Sequence, residues 1–145
     1  MEYADTSFLL SCYILDANHA AAAAHARTWT KPPRLPFSPF GAYELNNALR
    51  RLLHKGLVQP ADLAAVAQML RVDVASALLE DCPLEAWRWI DTANQISRRV
   101  TPQTGTRALD ILHLAQAQIR GATVFLSFDR NQRQAAALAG LTVAP

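Results

Sequence analysis

Lysine is nearly missing from this chain. Lys31 and Lys55 stand alone among 14 basic residues, so arginine carries the positive charge, and 12 acidic residues bring the net charge to only +2. That balance permits a polyanionic partner without demanding one. Cysteine is as rare: Cys12 and Cys82 are too few and too isolated for a zinc site or a disulfide framework, and their apolar neighbours mark them as small core residues. Long hydrophobic runs are lacking too. The stretch Phe8 to Leu15 is broken by Ser11 and Cys12 and falls short of the roughly 20 residues of a membrane span, which excludes a membrane protein. The opening Met1-Glu2-Tyr3-Ala4-Asp5 is acidic where an export signal is basic, so a cytoplasmic protein is expected. No repeat period is visible, and the run Ala20 to Ala24 is a strong helix former rather than a linker. What remains, 145 residues that are 51% apolar and 18% charged, is the profile of a single globular domain over residues 1–145.

Short apolar segments alternate with longer helical patterns. Glu2 to Asp5, Leu35 to Ser38, Ala77 to Asp81, Thr123 to Phe128 and Leu141 to Ala144 read as strands, the clearest being Thr123 to Phe128. Leu45, Ala48, Leu49, Leu52 and Leu53 share one helical face that Gly56 terminates. A second helix starts at Pro60 and carries the stripe Leu63, Val66, Ala67, Leu70 and Val74. A third holds Trp89, Ala93, Ile96 and Val100 on one face and gives way to a loop over Thr101 to Gly105. A fourth spans Thr106 to Arg120 with Gly121 as its stop, and a last one begins after Asp129. Strands separated by helices, with no hairpin signals, pair in parallel, because a parallel neighbour needs a long crossover. The fold class is therefore α/β, and ligands of such folds gather at the carboxyl ends of the strands.

Two acids fall at such ends. Asp5 closes the first strand and Asp129 follows the clearest later one, while Glu44 and Asp110 sit in helical patterns that are otherwise mostly apolar. Carboxylates that converge in a low-dielectric site repel one another, and a divalent cation relieves that repulsion. Hard oxygen ligands without a His or Cys cluster point to Mg²⁺ or Mn²⁺ rather than zinc. Each acid also has a plain structural reading. Asp129 and Gln132 resemble a capping box, Asp5 suits the cap of a helix starting at Thr6, Glu44 suits a solvent face, and Asp110 suits a pair with Arg107. The helical neighbours of Asp110, Leu114 and Ala117, favour a half-buried carboxylate instead. His113, one turn further on, is placed to assist Asp110 but reads first as a packed core histidine; His19, His25 and His54 show no ligand spacing.

Four stretches together resemble the PIN-domain family, the nuclease fold of VapC-type toxins. Tyr3-Ala4-Asp5-Thr6-Ser7-Phe8-Leu9-Leu10 is similar to its first strand and acid, and Tyr43-Glu44-Leu45-Asn46-Asn47-Ala48-Leu49-Arg50-Arg51 to its second motif. The run from Arg107 through Asp110 to Ala117 is similar to the third, and Phe125-Leu126-Ser127-Phe128-Asp129-Arg130 with Ala139-Gly140-Leu141 to the fourth acid and the closing elements. The resemblance implies a three-layer α/β/α sandwich whose central parallel sheet runs in the order 3-2-1-4-5. It also implies an endoribonuclease in which Asp5, Glu44, Asp110 and Asp129 hold Mg²⁺ or Mn²⁺ and the products carry 5′-phosphates. Thr6, Ser7 and Ser127 are near enough in sequence to two of the acids to support them by hydrogen bonds, or else serve as turn residues. Where many members carry a further acid just after the fourth, this chain has Asn131, which would support a cation rather than ligate it.

Arginine offers a planar fork of donors suited to phosphate, so Arg50, Arg51, Arg98, Arg99, Arg130 and Arg133 are candidates for positioning RNA. Trp29, Trp87 and Trp89 are candidates for base stacking, although the helical spacing around Trp89 favours a core or dimer-interface role. The resemblance further implies a cognate antitoxin, a small DNA-binding protein whose tail lies in a groove and places a basic side chain among the acids. It also implies a homodimer, to which residues Gln59 to Val74 are suited. A phosphoacceptor receiver domain needs an acidic pair just before the end of its first strand and a lysine late in the chain, and neither is present. A haloacid-dehalogenase-like phosphatase needs a second Asp where Ser7 stands. The alternative from another class is a PIN-like domain that binds RNA or protein without cleaving, or one that processes RNA without an antitoxin; clustered carboxylates argue against the non-cleaving form.

Overall fold

Asp5 shows how closely strand and helix are spliced in this protein. A computed structural model describes residues 1–83 and 86–145. In it, strand β1 (Glu2–Ala4) stops one residue before Asp5, whose carboxylate accepts the Phe8 backbone N–H at 2.8 Å and so starts helix α1 (Thr6–Tyr13). Helix α2 (His19–Ala26) follows over the alanine run. Strand β2 (Leu35–Phe37) leads into α3 (Pro39–His54), which Ser38 caps by accepting the Gly41 N–H at 3.2 Å. Next come α4 (Pro60–Ala75), opened by a Gln59–Asp62 capping box, and strand β3 (Leu79–Asp81). Helices α5 (Ala86–Thr104) and α6 (Ala108–Ile119) precede β4 (Val124–Leu126), α7 (Arg130–Leu138) and β5 (Thr142–Ala144).

All strand pairs among the described residues are parallel, in two sheets: β1-β4-β5 and β2-β3. Tyr3 pairs with Phe125 and Ala4 with Leu126, which sets the ends of β1 and β4 side by side. β1 also lies against β2, but no ladder joins them among the described residues, so the 2-1 neighbour relation is one of packing. Alternation along these strands feeds two cores. Tyr3, Phe125 and Val143 pack with Ile96, Val100, Ile111, Leu114 and Ala135 from α5, α6 and α7. Ala4, Leu126, Val124 and Ala144 pack with Phe8, Leu45, Leu49 and Val66 from α1, α3 and α4. Helices therefore cover both faces, the three-layer arrangement expected from the sequence.

The elements depart from expectation at their edges. Every strand is shorter than its apolar run, because the flanking residues turn into caps: Asp5 caps α1, Ser38 caps α3, and Ser127 bonds the turn after β4. The stretch Thr101 to Thr104 is helical instead of a loop, with Pro102 inside α5. Proline cannot donate to the carbonyl one turn back. The two residues after it bond back to neighbouring carbonyls with their side chains: Gln103 Nε2 donates to the Arg99 carbonyl at 2.8 Å and the Thr104 hydroxyl to the Val100 carbonyl at 2.9 Å. The helix ends at Gly105, whose φ of +65° suits glycine best. In α4, Leu63, Val66 and Leu70 join the core, but Val74 does not; it is exposed with Met69 and Val72.

Candidate active site

The carboxyl ends of β1 and β4 meet at Asp5, which is 1% exposed. Its Oδ1 accepts the Phe8 N–H and the Ser7 hydroxyl, both at 2.8 Å, and its Oδ2 accepts the Ser127 hydroxyl at 2.6 Å. Each serine oxygen accepts in turn from the backbone of the turn after β4: Ser7 from Phe128 N at 2.8 Å, Ser127 from Asp129 N at 3.0 Å. The two hydroxyls thus tie Asp5 to the turn that carries Asp129. Burial pushes the Asp5 carboxyl above its ordinary range, against the opposing influence of His113 and the hydrogen bonds from Ser127, Phe8 and Ser7.

Glu44 stands half-buried on the second turn of α3. Its Oε2 accepts the Thr6 hydroxyl at 2.9 Å and also a hydrogen bond from His113 Nε2. Burial works to raise this carboxyl, but the hydrogen bond and charge of His113, with Thr6, outweigh it and hold Glu44 below its ordinary range. Asp110, in the first turn of α6, is raised by burial, then by the negative charges of Asp129 and Glu44; a hydrogen bond from the Arg107 backbone and the influence of His113 act the other way. Asp110 thus follows the half-buried reading favoured by its helical neighbours, and the alternative pair with Arg107 is a backbone contact, with no ion pair among the described residues. Asp129 is exposed and caps α7 through the Gln132 N–H at 2.9 Å. The expected capping box does not close: Gln132 is buried and its amide reaches the Asp110 carbonyl at 3.4 Å, while Ser127 serves the Asp129 N–H.

Asp110 therefore feels the charges of both Asp129 and Glu44, and His113 influences Asp5, Glu44 and Asp110 alike. Thr6, Ser7 and Ser127 bond two of these acids. Asn131 does not join them: it is exposed and makes no hydrogen bond to an acid among the described residues, because the first turn of α7 points it outward. Among the arginines, Arg50, Arg51, Arg98, Arg99 and Arg130 are exposed. Arg133 is not available to a ligand in the same way, since its Nη1 donates to the carbonyls of Ser127 and Pro145, each at 2.7 Å. Trp29 donates to Glu2 at 2.6 Å and Trp89 to the Leu112 carbonyl at 2.8 Å, so both indoles are engaged in packing, whereas Trp87 is exposed.

Three buried polar residues behind the acids, Tyr3, Ser38 and Gln116, lie outside the sequence expectation, and His113, read there as core or as an aid to Asp110, contacts Glu44 instead. The signal that finds two of them is the spacing of Asp110, His113 and Gln116, a polar stripe every third residue along an apolar helix.

Among the described residues no group of three or more His, Cys, Asp or Glu side chains stands ready to hold an ion. The donor chemistry nevertheless fits a hard cation. Glu44 Oε1 accepts no hydrogen bond among the described residues, Asp110 is raised by its acidic neighbours, and Asp5 Oδ2 accepts a single donor. Mg²⁺ keeps several of its waters and needs only one or two direct carboxylates. Replacing Ser127 by alanine removes one donor to Asp5 and the acceptor of Asp129 N–H, both buried or partly buried. The Ser127→Ala variant is expected to lose about 1–3 kcal/mol of stability in a denaturant melt.

A parallel α/β fold with carboxylates gathered at the ends of adjacent strands defines an acidic-site α/β protein. The chain belongs to the PIN-domain family, whose model matches residues 3–138 and whose members are generally nucleases. No curated protein matches it. Among solved structures, the Mycobacterium tuberculosis VapC20, a sarcin–ricin loop cleaving toxin, superposes with a TM-score of 0.65 at 22% identity over 100% of both chains. FitAcB from Neisseria gonorrhoeae gives 0.72 at 15% identity, covering 100% of this chain and 97% of that one. PAE2754 from Pyrobaculum aerophilum gives 0.59 at 21% identity over 98% and 87%. These likenesses establish the fold.

Proposed function

We propose that this chain is a divalent-metal-dependent endoribonuclease and the toxin of a toxin–antitoxin pair. The observation that carries the reading is Asp5, a carboxylate 1% exposed at the ends of β1 and β4, which Ser7 and Ser127 tie to the turn that carries Asp129. Burial and the charges of Asp129 and Glu44 raise the Asp110 carboxyl, a repulsion that a divalent cation would relieve. Asp5, Glu44, Asp110 and Asp129 would hold Mg²⁺ or Mn²⁺, which supplies a Lewis acid and an acidified water for in-line attack on a phosphodiester.

The chain's own residues do the rest. Ser7, Ser127 and the Phe8 N–H fix Asp5, while Thr6 and His113 fix Glu44. Arg130 follows Asp129 directly, Arg98 and Arg99 lie six and seven residues before Gly105 on α5, and Arg50 and Arg51 six and seven residues beyond Glu44, about 9–10 Å along α3; these exposed arginines would bind RNA phosphates. RNA as substrate is supported by the activity named for VapC20, and a chain that cleaves cellular RNA would act in the cytoplasm. The exposed Met69, Val72 and Val74 of α4 suit a homodimer contact, and the acidic site suits a basic residue from an antitoxin.

The test uses purified chain, free of any co-expressed partner, incubated with total cellular RNA in Mg²⁺, Mn²⁺ or EDTA. Defined fragments with 5′-phosphate ends, present with metal and absent with EDTA, are expected. RNA binding without cleavage in any metal would make the protein a non-cleaving PIN module instead.

A further inference from the structure

The buried polar residues behind Glu44 do something that the four acids cannot do for themselves. His113 is 2% exposed and held between rings, with Phe40 at 5.0 Å and Tyr3 at 5.8 Å between centroids. One ring nitrogen, Nε2, meets Glu44 Oε2; the other, Nδ1, lies 2.7 Å from the Tyr3 hydroxyl. That hydroxyl is also 2.9 Å from Gln116 Oε1, which accepts the Ser38 hydroxyl at 3.0 Å. Ser38 caps α3, the helix that carries Glu44, so this chain of hydrogen bonds leaves α3 and returns to it through α6 and β1.

The protons in this chain can be placed. Tyr3 has one hydrogen to give. Gln116 Oε1 can only accept, so that hydrogen goes to Gln116 and the phenolic oxygen is left facing Nδ1. On the other side of the ring Nε2 faces Glu44 Oε2, an acceptor, and donates to it. With the Thr6 hydroxyl on the same oxygen at 2.9 Å, Oε2 is fully engaged, and Oε1 accepts no hydrogen bond among the described residues.

We infer that His113 is a positioning residue for Glu44: its Nε2–H, aimed by the Tyr3 hydroxyl, pins Oε2 and leaves Oε1 as the oxygen available to a divalent cation. This rests on the metal-dependent reading above. A histidine that only filled space would need neither the Tyr3 contact nor the Glu44 contact.

The test compares Mn²⁺ binding, followed by electron paramagnetic resonance of the free ion, for the unmodified chain, His113→Asn and His113→Gln, with thermal melts of each. Asparagine reaches the place of Nδ1 and keeps a partner for Tyr3 but gives Glu44 no donor; glutamine extends an amide N–H to the place of Nε2. His113→Asn is expected to weaken Mn²⁺ binding by about 10–100-fold and to lower kcat for RNA with KM for RNA unchanged, and His113→Gln to recover most of both. Equal affinities for the Asn and Gln variants, or tighter binding by His113→Asn, would overturn the inference; the second result would make His113 a competing cation. Should His113→Asn not fold, Tyr3→Phe keeps the imidazole and removes only the hydroxyl that aims it. Weaker Mn²⁺ binding is expected there too, and unchanged binding overturns the inference. An unmodified chain that binds no Mn²⁺ and cuts no RNA overturns the nuclease reading as well, whereas normal binding by all variants overturns this inference alone.

Discussion

Asp5→Asn is expected to abolish RNA cleavage while leaving the protein folded, with a melting temperature equal to or above that of the unmodified chain. Asp5 is the most buried of the four acids, and burial pushes its carboxyl up, so the ionised form is held at a cost that the fold bears for some other purpose. The amide keeps the shape and the oxygen that accepts from Phe8 N and Ser7, but carries no charge for a cation. Loss of one such charge-stabilising contact is worth on the order of 100- to 1,000-fold in rate. Cleavage assays and thermal melts on the same preparation check both halves. A variant that lost activity only because it unfolded would leave Asp5 a helix cap and nothing more.

Metal-free protein is expected to lose stability as the pH rises above the ordinary carboxylate range and through the raised values of Asp5 and Asp110, and Mg²⁺ or Mn²⁺ to restore it most strongly above them. Asp5 and Asp110 are both raised in the folded state, Asp5 chiefly by burial and Asp110 by burial and then by Asp129 and Glu44. For a raised acid, the folded state binds the proton more tightly than the unfolded chain. Its stabilising contribution is therefore complete below the unfolded pKa and is lost as the pH climbs through the folded one. Glu44 is lowered, mainly because His113 outweighs burial, and has the opposite sign; its contribution is complete above its unfolded pKa and fades only at acidic pH, outside this window. A cation bound at about a hundred times its Kd contributes about 2.7 kcal/mol. Melting temperature against pH, with EDTA and with metal, is the measurement. Parallel curves would remove the acids from any role in ion binding.

Much of this arrangement was legible in the sequence because it is local. The period of Leu45, Leu49 and Leu52 marks α3, and Asp5 and Asp129 announce themselves as caps at strand ends. The parallel α/β class follows from the alternation of elements alone. What was not legible depends on contacts far apart in the chain. Tyr3 and His113 are 110 positions apart, and Ser38 and Gln116 are 78 apart, so no local period links them. Pro102 reads as a helix breaker until side chains of Gln103 and Thr104 are seen to serve the carbonyls around it. Arg133 reads as a free cation until its two carbonyl partners are in place. Gln132 reads as the second half of a capping box, yet its amide turns away to the Asp110 carbonyl because Ser127 already occupies the Asp129 N–H.

The paired serines leave a mark on which substitutions this protein tolerates. Ser7 and Ser127 each donate to one oxygen of Asp5 and accept one backbone N–H, so each position requires a short group that is donor and acceptor at the same atom. Among side chains short enough, only serine and threonine meet that demand well. A thiol donates and accepts weakly, asparagine splits the two functions between different atoms, and alanine has neither. At position 127, with 0% exposure, threonine must also find room for a methyl group. Drift at these two sites is therefore confined to hydroxyl residues, while Arg130 and Asn131 a few residues on, exposed and outside the clamp, are free to vary as far as the fold is concerned.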